Sequence, residues 1–138
     1  MKTSTLIDTN ILIDVWGFQR PWTGWSQDAL VRCREEGALL VNAIVWSEIA
    51  PSVEVERLVA YVDELDIGRE NLPFAAAYQA GLAHARYRKA GGTRERTLPD
   101  FLIGAHARHG GHRLLTRDAS RYRKYFPDLE IIAPDTHP

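Results

Sequence analysis

Short apolar runs alternate with longer segments of helical periodicity along this chain, and the alternation is its main structural signal. Thr5-Leu6-Ile7 is too short for a helix and reads as a buried strand ending at Asp8. Ile11-Leu12-Ile13 then opens a helix that Gly17 ends, with Asp8, Thr9 or Asn10 available as its cap. Pro21 and Gly24 mark a loop, and Ser26 to Glu36 follows as a helix with Ala29, Leu30 and Cys33 on one face and Gly37 as its stop. Ala38 to Val41 is a second strand. A helix starts near Ala43, is interrupted or restarted at Pro51, and continues from Glu54 to Leu65. Alanine-rich Phe74 to Lys89 is a long helix closed by Gly91-Gly92. The polar, basic stretch 91–96 connects it to another helix, opened by Thr97-x-x-Asp100 in the manner of a capping box, with Pro99 in its first turn and Gly110-Gly111 at its end. His112 to Thr116 reads as a strand, Asp118 to Tyr125 as a short helix, and Leu129 to Ala133 as a last strand before Pro134.

This order predicts one α/β domain over residues 1–138 with a mostly parallel central sheet. Ligands of such sheets bind beyond the carboxyl ends of the strands. Asp8 and Asp118 fall there. Glu48 and Asp100 are expected in opening turns of helices that could begin at the same edge. Four carboxylates gathered in one cleft repel unless cations fill it, and an all-oxygen donor set suits Mg²⁺ or Mn²⁺. Each acid also has a simpler reading. Asp8 and Asp118 can be helix caps, Glu48 an exposed acid favoured by a helix N-terminus, and Asp100 the second half of the capping box. Thr9, Asn10, Ser47 and Thr116 could orient the carboxylates, or merely serve turns and caps. Asp14 lies two helical turns from Asp8 and reads as peripheral.

With 138 residues and 45% hydrophobic content, the chain can bury a core of its own. One cysteine excludes an internal disulfide and fits a reducing compartment, the cytoplasm; no apolar run is long enough to span a membrane, and none at the N-terminus suits a signal peptide. The net charge of −1 hides a strong asymmetry. Residues 1–83 carry 6 Lys/Arg against 12 Asp/Glu, and residues 84–124 carry 11 against 3. A polyanionic partner is one explanation, solvated helix faces another. His106, His109 and His112 are three apart, but Gly110-Gly111 breaks the helix between them, so they read as residues of a helix C-terminus, not zinc ligands. Trp22 and Trp25 flank the Pro/Gly-marked loop, where they either cover the core or form an interface.

The ordered set LIDTNILID (6–14), SEIA (47–50), LPDFLIGAHA (98–107) and LLTRD (114–118) resembles PIN-domain ribonucleases, in particular the VapC toxin group of bacterial and archaeal toxin–antitoxin systems. The tail RYRKYFPDLEIIAP (121–134) is similar to that group as well. The resemblance implies an α/β/α sandwich with a parallel sheet. It also implies a Mg²⁺- or Mn²⁺-dependent endoribonuclease that hydrolyses RNA phosphodiester bonds with metal-activated water. Carried over by motif, Asp8, Glu48, Asp100 and Asp118 would be the catalytic and metal-binding acids, with Thr9, Asn10 and Thr116 supporting them. A homodimer and a cognate antitoxin are implied too, with operator DNA contacted only through the antitoxin. An exposed RNA loop, as in tRNA or rRNA, is the substrate class expected. Two other functions compete with this one. A non-catalytic PIN-like RNA- or partner-binding module would usually have lost an acid. A Mg²⁺-dependent phosphohydrolase with Asp8 as nucleophile would want a second Asp where Asn10 stands.

Overall fold

The structure, a computed structural model, describes residues 3–17, 21–93 and 97–138. Its five strands are β1 (Thr5–Ile7), β2 (Leu39–Val41), β3 (Ile67–Arg69), β4 (Arg113–Leu115) and β5 (Ile131–Ile132). They form one all-parallel sheet in the order β3-β2-β1-β4-β5. Its centre is dry: every residue of β1 and of β4 is buried, as expected for a parallel sheet covered on both faces. Seven helices are present among the described residues. They are α1 (Thr9–Gly17), α2 (Thr23–Glu36), α3 (Ala43–Ile49), α4 (Val55–Glu64), α5 (Phe74–Lys89), α6 (Leu98–His109) and α7 (Ser120–Arg123).

From β1 the chain steps outward to β2 and β3, then crosses back to β4 and β5. Right-handed crossovers place helices after β1 and β2 on one face and helices between β3 and β5 on the other, giving the α/β/α layering. The strand order reverses between β1 and β4, so a crevice opens beyond their carboxyl ends. Asp8 follows β1 directly, and its backbone N–H continues the ladder to the Leu115 carbonyl at 2.9 Å. α5 and α6 pack on each other around an aromatic cluster in which Phe101 lies 5.6 Å from Tyr87 and 5.4 Å from Tyr125, ring to ring. Gly104 of α6 makes room for a further ring. A Cβ there would lie 2.5 Å from Phe126 Cε2, a distance no folded side chain tolerates.

Several expectations need correction. β3 was not expected: Ile67-Gly68-Arg69 is an edge strand with one buried side chain, so it carries no apolar run. α2 begins at Thr23, three residues before the expected start, and Gly24 lies in its first turn with open space around it. The last helix spans only Ser120–Arg123, and the last strand only Ile131–Ile132. Glu48 is not in an opening turn. It is the penultimate residue of α3, which is short because Pro51 follows and a 3₁₀ turn at Ala50–Ser52 replaces further α-helix. Asp14 is not peripheral but fully buried. Its Oδ2 accepts from Ser26 Oγ and from Arg117 Nε, both at 2.9 Å. Of the connection 91–96, residues 94–96 lie outside those described. Trp25 packs on the core and donates to the His137 carbonyl at 2.7 Å, whereas Trp22 is more open, with the Arg117 guanidinium 5.9 Å from its ring.

Candidate active site

The site begins at the end of β1. Asp8 leaves the strand just before α1, and Thr9 N, the first amide of that helix, donates to Asp8 Oδ1 at 2.8 Å. Its other oxygen, Oδ2, accepts from Thr116 Oγ1 at 2.9 Å and from Tyr122 Oη at 2.7 Å. Oδ2 is therefore saturated, while Oδ1, which accepts the Thr9 N–H, keeps acceptor capacity in a residue that lines the crevice. Thr116 follows β4. Its hydroxyl donates to Asp8 and accepts from Asn10 Nδ2 (3.2 Å) and Asp118 N (3.1 Å), which uses its full capacity. Asn10 Oδ1 in turn accepts from Arg117 N at 3.1 Å. The ends of β1 and β4 are thus tied together by Asn10 and Thr116, and Asp118 is delivered beside Asp8.

Glu48 and Asp100 close the other sides. Thr9 Oγ1 donates to Glu48 Oε1 at 2.8 Å, which holds an exposed acid of α3 against α1. Asp100 sits in the first turn of α6, where Oδ2 accepts from Thr97 N at 3.2 Å, the expected capping contact. Oδ1 points instead to Arg121 Nη1 at 3.5 Å. Capping and site-facing roles therefore coexist in Asp100, one oxygen for each purpose. All four acids, with Thr9, Asn10, Ile13, Arg117 and Arg121, line one cleft of about 250 Å³.

The electrostatics follow from burial. Desolvation pushes the Asp8 carboxyl up to about 6; hydrogen bonds from Tyr122, Thr116 and Thr9 N–H oppose the rise, and the Asp100 charge adds to it. Burial also pushes the Asp118 carboxyl up, but hydrogen bonds from Ser120 and Arg121 outweigh it and hold the group below its ordinary range. The donor set is carboxylate oxygen throughout, with all four acids lining the cleft and an arginine already drawn in among them. That chemistry fits a hard divalent cation.

Sequence reasoning did not find Tyr122, Arg121 or the Asp14–Arg117 pair. Arg117 flanks Thr116 and Asp118, so its bond to buried Asp14 anchors the site segment to α1. Asp14→Ala is expected to cost about 2–4 kcal/mol by stranding Ser26 and Arg117. Urea unfolding checks this, and an unchanged midpoint would contradict it.

A second cluster lies elsewhere. His106 and His112, with Glu70, bring donor atoms within 4.8 Å of one another, while His109 is exposed. Both rings contact Glu70 Oε1 through Nε2, at 2.9 and 2.8 Å. Burial pushes the Glu70 carboxyl up, yet the hydrogen bonds from His112 and His106 hold it below its ordinary range. Asn42 Oδ1 caps α3 by accepting from Val45 N at 3.0 Å, so its amide N–H faces His106 Nδ1 at 2.9 Å. His106 Nδ1 therefore accepts and its proton lies on Nε2, the atom a metal would need bare. This cluster is a hydrogen-bonded brace joining α6, β3 and the start of β4.

The PIN domain family matches residues 5–127, nearly the whole chain, and the chain belongs to that family. Its fold is similar to chains in three solved complexes. For VapBC2 from Rickettsia felis bound to a promoter DNA fragment, the TM-score is 0.71 at 16% identity, covering 95% of this chain and 98% of that one. For VapBC-1 from nontypeable Haemophilus influenzae, it is 0.72 at 16% identity, covering 95% and 98%. For a toxin–antitoxin complex from Klebsiella pneumoniae, it is 0.66 at 23% identity, covering 94% and 97%. No curated protein matches the chain. Among the described residues no helix is long and apolar enough to cross a membrane.

Proposed function

We propose that this PIN domain, residues 1–138, is a divalent-metal-dependent endoribonuclease and the toxin of a VapBC-like toxin–antitoxin pair. The observation that carries the reading is the meeting of Asp8, Glu48, Asp100 and Asp118 around one cleft at the reversal of strand order. These carboxylates would hold a Mg²⁺ or Mn²⁺ ion, which would supply the Lewis acidity to ionise water at neutral pH and offset charge on a phosphodiester. Asp8, with Asp100 or Asp118, would ligate it directly, and Glu48 would ligate directly or through water. Thr9 fixes Glu48, while Asn10 and Thr116 hold the ends of β1 and β4 at the spacing the acids need.

Two groups stand out among the described residues of the basic segment, which sharpens the RNA reading. Arg108, Arg113, Arg117, Arg121 and Arg123 are each paired with acids of this chain. Arg86, Arg88 and Lys89 lie together in the last turn of α5. This turn is the patch we assign to the RNA backbone. A structured loop, as in tRNA or rRNA, is the substrate class we favour. The toxin–antitoxin complexes of similar fold, one of them bound to a DNA fragment from its promoter, support an antitoxin partner that would mediate any DNA contact. α5 also presents Phe74, Tyr78 and Leu82 to solvent at four-residue intervals, an apolar ridge suited to a second copy of the chain in a homodimer.

The test is cleavage of end-labelled, structured RNA by the purified chain. Cleavage with Mg²⁺ or Mn²⁺, none with EDTA, and products bearing 5′-phosphate and 3′-hydroxyl ends are expected. Metal-independent cleavage, or 2′,3′-cyclic phosphate ends, would contradict the proposal, because those ends arise from attack by the RNA's own hydroxyl.

A further inference from the structure

The acidic cleft already has a cation from its own chain. Arg121 projects from α7 into the cluster, with Nε 3.0 Å from Asp118 Oδ2 and Nη1 3.5 Å from Asp100 Oδ1. The oxygens it uses are the ones a metal would need. Asp100 Oδ2 is occupied by the Thr97 N–H, and Asp118 Oδ1 by the Ser120 hydroxyl at 2.6 Å, so the arginine sits on the remaining oxygen of each acid. The other arginine lining the cleft, Arg117, is committed to buried Asp14. Burial works against the Arg121 charge, but the fields of Asp100, Asp118 and Asp8 overcome it and raise its pKa further.

The partners differ in freedom to move. The Asp100 side chain is 7% exposed and fixed by its capping contact, whereas the Arg121 side chain is 46% exposed and attached to a four-residue helix at the cleft mouth. Arginine can turn its guanidinium out into water, while the nearly buried Asp100 Oδ1 it vacates is left for the entering ion. A guanidinium and a divalent ion cannot share these oxygens without strong like-charge repulsion. We propose that Arg121 is an internal counter-ion that holds the metal position of the cleft, so that a divalent ion enters by displacing it. Arg121 is thus a positioning residue that sets metal affinity and keeps the acids assembled when metal is scarce. This inference rests on the metal-site reading above.

The experiment is a calorimetric titration of Mn²⁺ into the whole chain as wild type, Arg121→Gln, Arg121→Lys and Asp8→Asn, at neutral pH. Arg121→Gln is expected to bind Mn²⁺ roughly three- to tenfold more tightly than wild type, since a partly exposed ion pair no longer competes. Its melting temperature should fall without metal and match wild type at saturating Mn²⁺. Arg121→Lys, which keeps the charge, should lie between the two in affinity. Unchanged or weaker Mn²⁺ binding in Arg121→Gln, beside a wild type that binds and an Asp8→Asn that does not, would overturn this inference and leave the metal site standing. A wild type indistinguishable from Asp8→Asn would overturn the metal site itself, and this inference with it.

Discussion

Asp8→Asn should lower RNA cleavage by about three orders of magnitude or more and at the same time make the metal-free protein more stable. The loss follows from geometry. Asp8 lines the cleft with its Oδ2 saturated by Thr116 and Tyr122, so ligation depends on the remaining lone pair and the negative charge of Oδ1. An amide keeps the shape and removes the charge. The gain in stability follows from linkage. The folded protein raises Asp8 to about 6, against roughly 3.9 for an unfolded aspartate. Ionisation therefore costs the folded state something on the order of 3 kcal/mol. That cost is fully present above pH 6, shrinks as pH falls from 6 towards 4, and is absent below both values. Asparagine removes it but presents N–H groups where Thr116 and Tyr122 donate; the Tyr122 hydroxyl can rotate to accept, whereas Thr116 already accepts from Asn10 Nδ2 and Asp118 N, so part of the gain is lost. A net gain of about 1–2 kcal/mol, or roughly 3–8 °C in melting temperature, is expected at pH 7.5 and none at pH 4. Thermal melts of the two proteins at both pH values check this. Retained cleavage, or a lower melting temperature at pH 7.5, would contradict the role given to Asp8.

The second large effect is the coupling of metal binding to pH. An ion must find Asp8 ionised, so below pH 6 protons compete with it, and apparent affinity should fall roughly tenfold per pH unit. At pH 7.5, Mn²⁺ at a hundred times its dissociation constant should stabilise the fold by about 2.7 kcal/mol. At pH 5 the same concentration should give a visibly smaller rise in melting temperature. Equal rises at the two pH values would mean that the ion binds away from Asp8.

Much of this arrangement was legible in the sequence because local rules and the site use the same residues. Asp8, Asp100 and Asp118 stand where strands end and helices begin, so the patterns that predict elements also place the acids. Asp100 shows this directly, with one oxygen capping α6 and the other facing the cleft. Glu48 was identified for a partly mistaken reason: it lies near the end of α3, not its start, and Thr9 holds it in place. Residues whose meaning depends on distant partners were not legible. Asp14 looks peripheral until Arg117, 103 positions away, is packed against it. Tyr122 and Arg121 lie in a helix too short to show periodicity, so nothing local separates their roles. The charge asymmetry was visible, but not that five of the arginines in the basic segment are held by acids of the same chain. β3 escaped because an edge strand with Gly68 at its centre needs no apolar run.

Equilibrium binding of Mn²⁺ at neutral pH to the intact chain and to its Asp8→Asn and Asp100→Asn variants tests the central claim most directly. Saturable uptake by the unmodified protein, abolished or weakened at least tenfold by either substitution, is the result expected of carboxylates that hold an ion jointly. Equal uptake by all three proteins would show that these side chains, though neighbours, do not form a metal site.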